Sequence, residues 1–133
     1  AVERSQKQTL NPQDMKILFV EDEDSVRAFG VRALKKKGFA VTACNSAENA
    51  LEQLKNGEVF DLLITDMVMP GLSGADLAKE IKKSLPDIRI ILASGYSEEI
   101  ARRELAGSED FEFIAKPYSL GDLTNKVFSV LNR

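Results

Sequence analysis

Lys16-Ile17-Leu18-Phe19-Val20 runs without a polar interruption after its first residue, and Glu21-Asp22-Glu23-Asp24 follow it with no spacer. The same design recurs down the chain. Phe60-Asp61-Leu62-Leu63-Ile64-Thr65 ends at Asp66, Ile88-Arg89-Ile90-Ile91-Leu92-Ala93 ends at Ser94, and Phe111-Glu112-Phe113-Ile114-Ala115 ends at Lys116. Runs this short and this continuous in Ile, Leu, Val and Phe read as strands buried on both faces, as in a parallel sheet. The predicted strands are 16–20, 40–45, 59–65, 88–93 and 111–115.

Every gap between them carries helical spacing: Val26, Phe29, Ala33 and Leu34; Ala47, Ala50, Leu51 and Leu54; Leu77, Ile81 and Leu85; Leu120, Leu123, Val127, Val130 and Leu131. The helix over 97–106 is the poorest, with only Ile100, Ala101 and Leu105 to bury. Ser46, Ser97 and Ser119 stand where helices start, and Gly57, Pro86 and Gly107 where they end. Regular alternation of this kind implies an α/β fold, a doubly wound five-stranded parallel sheet with five helices and right-handed crossovers. In such a sheet the carboxyl ends of the strands share one edge, where ligand sites form. Glu21, Asp22, Asp66 and Lys116 are therefore expected in one pocket.

The 133 residues, 44% hydrophobic and 29% charged, suit one globular domain. Residues 1–14 are polar and aperiodic and read as a leader or linker, leaving 15–133 as the domain. A net charge of −3 supplies no field for a polyanion, so direct nucleic-acid binding is not expected. Lys35-Lys36-Lys37 before Gly38 read as cations at a helix C-terminus. Cys44, the single cysteine, reads as a small apolar strand residue, and its isolation suits a reducing cytoplasm. No apolar stretch approaches the ~20 residues that span a bilayer, and no signal peptide is visible.

Four successive acids repel one another unless something offsets them. Acids near a helix N-terminus meet its positive dipole end, and the capping role falls to Asp24, with Glu23 beside it. That leaves Glu21 and Asp22 unexplained. With Asp66 on a neighbouring strand end they form an oxygen donor set of the type Mg²⁺ or Mn²⁺ accepts, completed by water and phosphate oxygens. Zinc is disfavoured, since the chain has no histidine and its only thiol lies on another strand. Asp66 also suits the role of a carboxylate nucleophile that forms an aspartyl phosphate. Attack of one anion on another needs positive charge and donors at the equatorial oxygens, which the metal, Lys116 and the Ser94 hydroxyl would supply.

These segments together resemble the receiver domains of two-component response regulators. The resemblance rests on Ile17 to Glu23, on Asp66-Met67-Val68-Met69-Pro70-Gly71-Leu72-Ser73-Gly74, on Ala93-Ser94-Gly95 and on Ala115-Lys116-Pro117, and it covers residues 15–133. It implies the flavodoxin-like receiver fold and a phosphoryl group accepted by Asp66 from a phosphohistidine. It implies Mg²⁺ held by Asp22, Asp66 and the Val68 carbonyl, with Glu21 acting partly through water, and Ser94 and Lys116 on the phosphoryl oxygens. It further implies a cis Lys116–Pro117 peptide and a switch pair, Ser94 and Phe113. Glu21 departs from the more usual aspartate by one methylene, which bears on metal affinity and not on the nucleophile.

Ser94-Gly95-Tyr96-Ser97-Glu98-Glu99 and Lys116-Pro117-Tyr118-Ser119-Leu120 look most like the C-terminal receivers of hybrid histidine kinases of the CckA type. Such receivers pass phosphate to or from a histidine phosphotransferase. The expected partners are thus a histidine kinase or a phosphotransferase, and the expected place is cytoplasmic, with a parent kinase as the tether to the inner membrane. A stand-alone single-domain regulator fits much the same sequence, as does, on fold grounds alone, an interaction module that is never phosphorylated. Enzymatic turnover is not expected beyond the domain's own phosphorylation and dephosphorylation. A phosphatase of the haloacid dehalogenase type needs a second aspartate where Val68 stands, and an FMN module needs a phosphate-cradling loop where the four acids stand. Val68 and Tyr96 offer no group to activate a hydrolytic water, so a long-lived aspartyl phosphate is expected. Val26, Phe29 and Pro117-Tyr118 mark the surface beside the acids where a phosphotransferase helix would pack.

Overall fold

The computed structural model describes residues 11–104 and 111–132. Its five strands are β1 (Lys16–Val20), β2 (Ala40–Cys44), β3 (Leu62–Asp66), β4 (Arg89–Ser94) and β5 (Phe111–Ala115). All neighbours pair in parallel, in the order β2-β1-β3-β4-β5. Five helices alternate with them: α1 (Asp24–Lys36), α2 (Ala47–Lys55), α3 (Gly74–Ser84), α4 (Glu98–Glu104) and α5 (Leu120–Leu131). The expected α/β architecture is the one observed.

Two cores follow from the alternation of side chains along each strand. Ile17 and Phe19 of β1, Leu62 and Ile64 of β3, and Ile91 and Ala93 of β4 face one way, against Ala33 and Leu34 of α1 and Leu123, Val127 and Val130 of α5. Leu18, Val20, Leu63, Ile90 and Leu92 face the other way, against Ala47 and Ala50 of α2, Leu77, Ala78 and Ile81 of α3, and Ala101 of α4. Each fully buried Leu or Ile contributes about 1.5–3 kcal/mol of hydrophobic free energy. Burial on both faces explains why the central strands carry no polar alternation.

Strand ends differ by one to three residues from the periodicity. β3 starts at Leu62 and not at residue 59, because Val59 is exposed and the Asp61 carboxylate accepts from the Lys16 amide at 2.8 Å, turning the chain into the strand. Both β3 and β4 extend one residue further than expected, so that Asp66 and Ser94 are themselves the last residues of their strands. Within 1–14 the described part is not featureless: Pro12–Asp14 form a 3-10 turn, capped by the Asn11 side chain on the Gln13 amide.

Ser46 and Ser119 cap α2 and α5 as expected, Ser119 within a reciprocal capping box with Asp122, and the Ile100 amide donates to Ser97 at the start of α4. The cap of α1 is a correction. Glu23 occupies the cap position but its side chain makes no capping bond, and Asp24 is the first helical residue, paired at 2.6 Å with Arg27. An ion pair one turn along replaces the side-chain cap. Lys35 and Lys36 do lie in the last turn of α1, with Gly38 beyond it at φ +102. Leu105 and Gly107 lie outside the described residues. Among the described residues no helix is long and apolar enough to cross a membrane.

Candidate phosphoryl and metal site

The strand order reverses direction between β1 and β3, and this crevice is where an open α/β sheet binds ligands. Glu21 follows β1 and extends the ladder, its amide donating to the Cys44 carbonyl at 3.0 Å. Asp66 ends β3, and the Met67 amide donates to Ala93 at 2.9 Å. Lys116 follows β5, held by its own amide on the Ser94 carbonyl at 2.8 Å. Continuation of the ladders past the last strand residues aims all three side chains at one edge.

There they meet. The Lys116 ammonium lies 3.2 Å from Asp66 Oδ2 and 3.3 Å from Glu21 Oε1, partners 50 and 95 positions away from it in sequence. One carboxylate oxygen each of Glu21, Asp22 and Asp66 lie within 4.8 Å of one another. Glu21 is 1% exposed, the Asp66 side chain 13% and the Lys116 side chain 23%, while Asp22 is open to solvent. Such a set pairs a buried anchor with a reachable carboxylate and a solvent-facing one. Three hard oxygen donors this close fit a divalent ion of the Mg²⁺ class, which keeps several waters and takes few protein ligands.

Burial raises the Glu21 pKa above its ordinary value, and the Asp66 charge adds to the rise; the Glu23 amide, which donates to Glu21 Oε2 at 3.1 Å, and Lys116 oppose it without cancelling it. Burial alone would lower the Lys116 pKa, but the Asp66 and Glu21 carboxylates together outweigh it, so the ammonium is held more firmly than usual. Tyr118 is raised too, by burial and then by the same two carboxylates. Burial pushes the Cys44 thiol up to about 11, in keeping with a packed strand residue.

Ser94 is 3% exposed and its hydroxyl accepts from the Tyr96 amide at 2.9 Å. Phe113 is 4% exposed and packed in the core beside Leu92, Ala101 and Phe111. Val68 and Tyr96 are both exposed, at 68% and 56%, on the loops after β3 and β4. The Lys116–Pro117 peptide is cis. The loop after β3 returns tightly upon itself: the Gly74 amide donates to Met67, and a Cβ at Gly74 would lie 1.7 Å from the Asp66 carbonyl oxygen. Only glycine permits that approach, so Gly74 sets how α3 begins beside the acid.

Beside the carboxylates a groove of about 420 Å³ is lined by Val26, Phe29, Pro117 and Tyr118, with the Phe29 and Tyr118 rings 6.5 Å apart. Phe29 is 40% exposed, which is open for an aromatic ring. Two contributors went unrecognised in the sequence. Arg27 reaches the Glu21 carbonyl, a contact signalled only by its spacing from Asp24, and Glu48 accepts from the Leu72 amide at 3.2 Å across the loop after β3, which local spacing does not signal.

Comparison with known proteins agrees with this geometry. The response regulator receiver domain family matches residues 17–128. The sensor kinase CckA of Brucella abortus is 42% identical over 88% of this chain, which spans 12% of that kinase's length. The response regulator receiver protein CpdR of the same organism is 34% identical over 87% of this chain and 96% of its own. The crystal structure of the response regulator TrrA of Thermotoga maritima in complex with Mg(2+)-BeF superposes with a TM-score of 0.76 at 32% identity, covering 87% of this chain and 98% of that one. The chain belongs to the response regulator receiver domain family.

Proposed function

We propose that this domain is the phosphoacceptor of a two-component phosphorelay, with Asp66 taking a phosphoryl group from phosphohistidine in a Mg²⁺-dependent reaction. The observation that carries the reading is the ammonium of Lys116 lying between Asp66 and Glu21 at 3.2 and 3.3 Å, at the sheet's ligand edge. An Asp66 oxygen attacks phosphorus in line with the scissile bond; the P–N bond breaks, the imidazole leaves with the electron pair, and an acyl phosphate remains. Glu21, Asp22, Asp66 and the Val68 carbonyl would hold the divalent ion, which supplies charge neutralisation at the phosphoryl oxygens when bound. Mn²⁺ suits the same donors.

Lys116 then balances the added charge of about −1.5 to −2 that phosphorylation brings. The Ser94 hydroxyl donates to another phosphoryl oxygen once it moves inward, and Phe113 follows into the space it leaves, which biases the face of α4 and β5. Exposure of Val68 and Tyr96, neither able to activate water, favours a durable acyl phosphate over self-dephosphorylation.

The partner is a histidine kinase or histidine phosphotransferase, and the groove lined by Val26, Phe29, Pro117 and Tyr118 is where its helix docks. Likeness to CckA supports residues 15–133 as the receiver of a hybrid kinase, with 1–14 as linker and the parent kinase as membrane tether. Coverage of nearly all of CpdR supports the other arrangement, a single-domain regulator acting by phosphorylation-dependent binding. Transfer from a phosphorylated phosphotransferase tests the reading. Label should reach the wild type and not Asp66→Asn, and Phe29→Ala should slow transfer from the phosphotransferase while leaving phosphorylation by acetyl phosphate unchanged. Label on Asp66→Asn defeats the assignment of the nucleophile, and equal slowing with both donors defeats the docking assignment.

A further inference from the structure

Glu21 to Asp24 place four carboxylates at one strand tip, and a partly buried cation answers them from the first turn of α1. Arg27 is mostly buried, its side chain 22% exposed. Its Nη1 donates to the Glu21 carbonyl at 2.8 Å, its Nη2 to Asp24 Oδ1 at 2.6 Å, and its own amide to the Glu23 carbonyl at 2.9 Å. We propose that Arg27 is a positioning residue of the acidic centre, its guanidinium fixing the Glu21–Asp22 peptide so that both carboxylates stand beside Asp66.

The Glu21 carbonyl and the Asp22 amide belong to one peptide plane, so a bond to that oxygen restricts rotation on both sides of it. The ladder bond from the Glu21 amide to Cys44 fixes the same residue from the strand side. Asp22 is exposed, so the peptide plane it shares with Glu21 is a constraint that burial does not supply. A planar guanidinium with two donors in fixed relation can hold a carbonyl and a carboxylate together; an ammonium is a point charge and cannot impose that geometry. Asp24 is 89% exposed at its side chain, so as a surface ion pair it adds little stability. Its use is to aim the guanidinium and take up its charge, which divides the run of four: Asp24 is matched by Arg27, Glu23 stands at the helix cap position, and Glu21 and Asp22 remain for the divalent ion.

The inference rests on the reading of Glu21, Asp22 and Asp66 as a Mg²⁺ site, and a sign difference separates positioning from simple charge. A cation near the site repels Mg²⁺, so a purely electrostatic Arg27 would weaken binding, and removing it would tighten binding. Positioning predicts the reverse. Calorimetric titration of Mg²⁺ into the wild type, Arg27→Gln, Arg27→Lys and Asp24→Asn tests it, with thermal melts in chelator to show that each is folded. Arg27→Gln should lose about tenfold in Mg²⁺ affinity, within the range for residues that orient metal ligands. Arg27→Lys should recover little of the loss, and Asp24→Asn should lose less than Arg27→Gln. In the metal-free protein, amide exchange at Asp22 and Glu23 should quicken in Arg27→Gln while the strand amides keep wild-type rates. Unchanged or tighter Mg²⁺ binding in Arg27→Gln overturns the assignment, and where that variant does not fold, unchanged or tighter binding in Arg27→Lys overturns it equally. A wild type that binds no Mg²⁺ overturns the reading of the site itself, and the role of Arg27 with it.

Discussion

Glu21 is held where its charge is costly. Its folded pKa is raised above the ordinary 4.5, first by burial and then by Asp66, so the fold favours the protonated form. The sign of the linkage follows: this group's contribution to stability is full below pH 4.5 and is lost as pH rises through the higher folded value. In chelator at neutral pH, Glu21→Gln should therefore melt at a higher temperature than the wild type, and the advantage should fade as pH falls below 4.5. Mg²⁺ should reverse the order, since the ion stabilises whatever binds it in the folded state. Melting curves from pH 4 to 8, with and without Mg²⁺, check both statements; a metal-free variant less stable than the wild type at neutral pH would show that Glu21 is not strained there.

Loops and caps turn these residues into a site. Gly74 is the tightest of them, since its missing Cβ lets the Asp66 carbonyl approach to a distance no side chain tolerates. Gly74→Ala forces the backbone of the loop or the first turn of α3 to move, and overpacking against backbone should cost about 3 kcal/mol, read from urea unfolding. Wild-type stability would mean that the loop is far softer than its contacts imply. At this scale the sequence was informative where one signal dominated. Near-continuous apolar runs marked β1, β3 and β4, because two covered faces demand them, and serines at 46, 97 and 119 marked helix starts, because their hydroxyls satisfy first-turn amides. Legibility failed where partners are chosen by tertiary contact. The start of β3 depends on Asp61 reaching Lys16 across 45 positions, whereas the entry to α1 turns on a local pair, Asp24 with Arg27 three residues on, which acid patterning alone does not distinguish from a cap. Ser73, which caps α3 with a bond to the Asp76 amide at 3.1 Å, was hidden inside the loop motif after Asp66.

At the scale of the whole molecule, a sheet ordered β2-β1-β3-β4-β5 brings the ends of β1, β3, β4 and β5 together on one edge. Parallel pairing means that no side chain had to be placed individually for the acids and the lysine to converge. That is why the convergence could be read from strand ends alone, while the peptide planes and hydrogen bonds that set the distances could not. A groove beside the site and two cores beneath it complete the platform, and the proposed function adds the claim that Asp66 on that platform takes a phosphoryl group. Mass spectrometry after incubation with acetyl phosphate and Mg²⁺ tests that claim most directly. The wild type should gain one phosphoryl mass that disappears with chelator and never forms on Asp66→Asn; no gain in the wild type, or an equal gain in the variant, would contradict it.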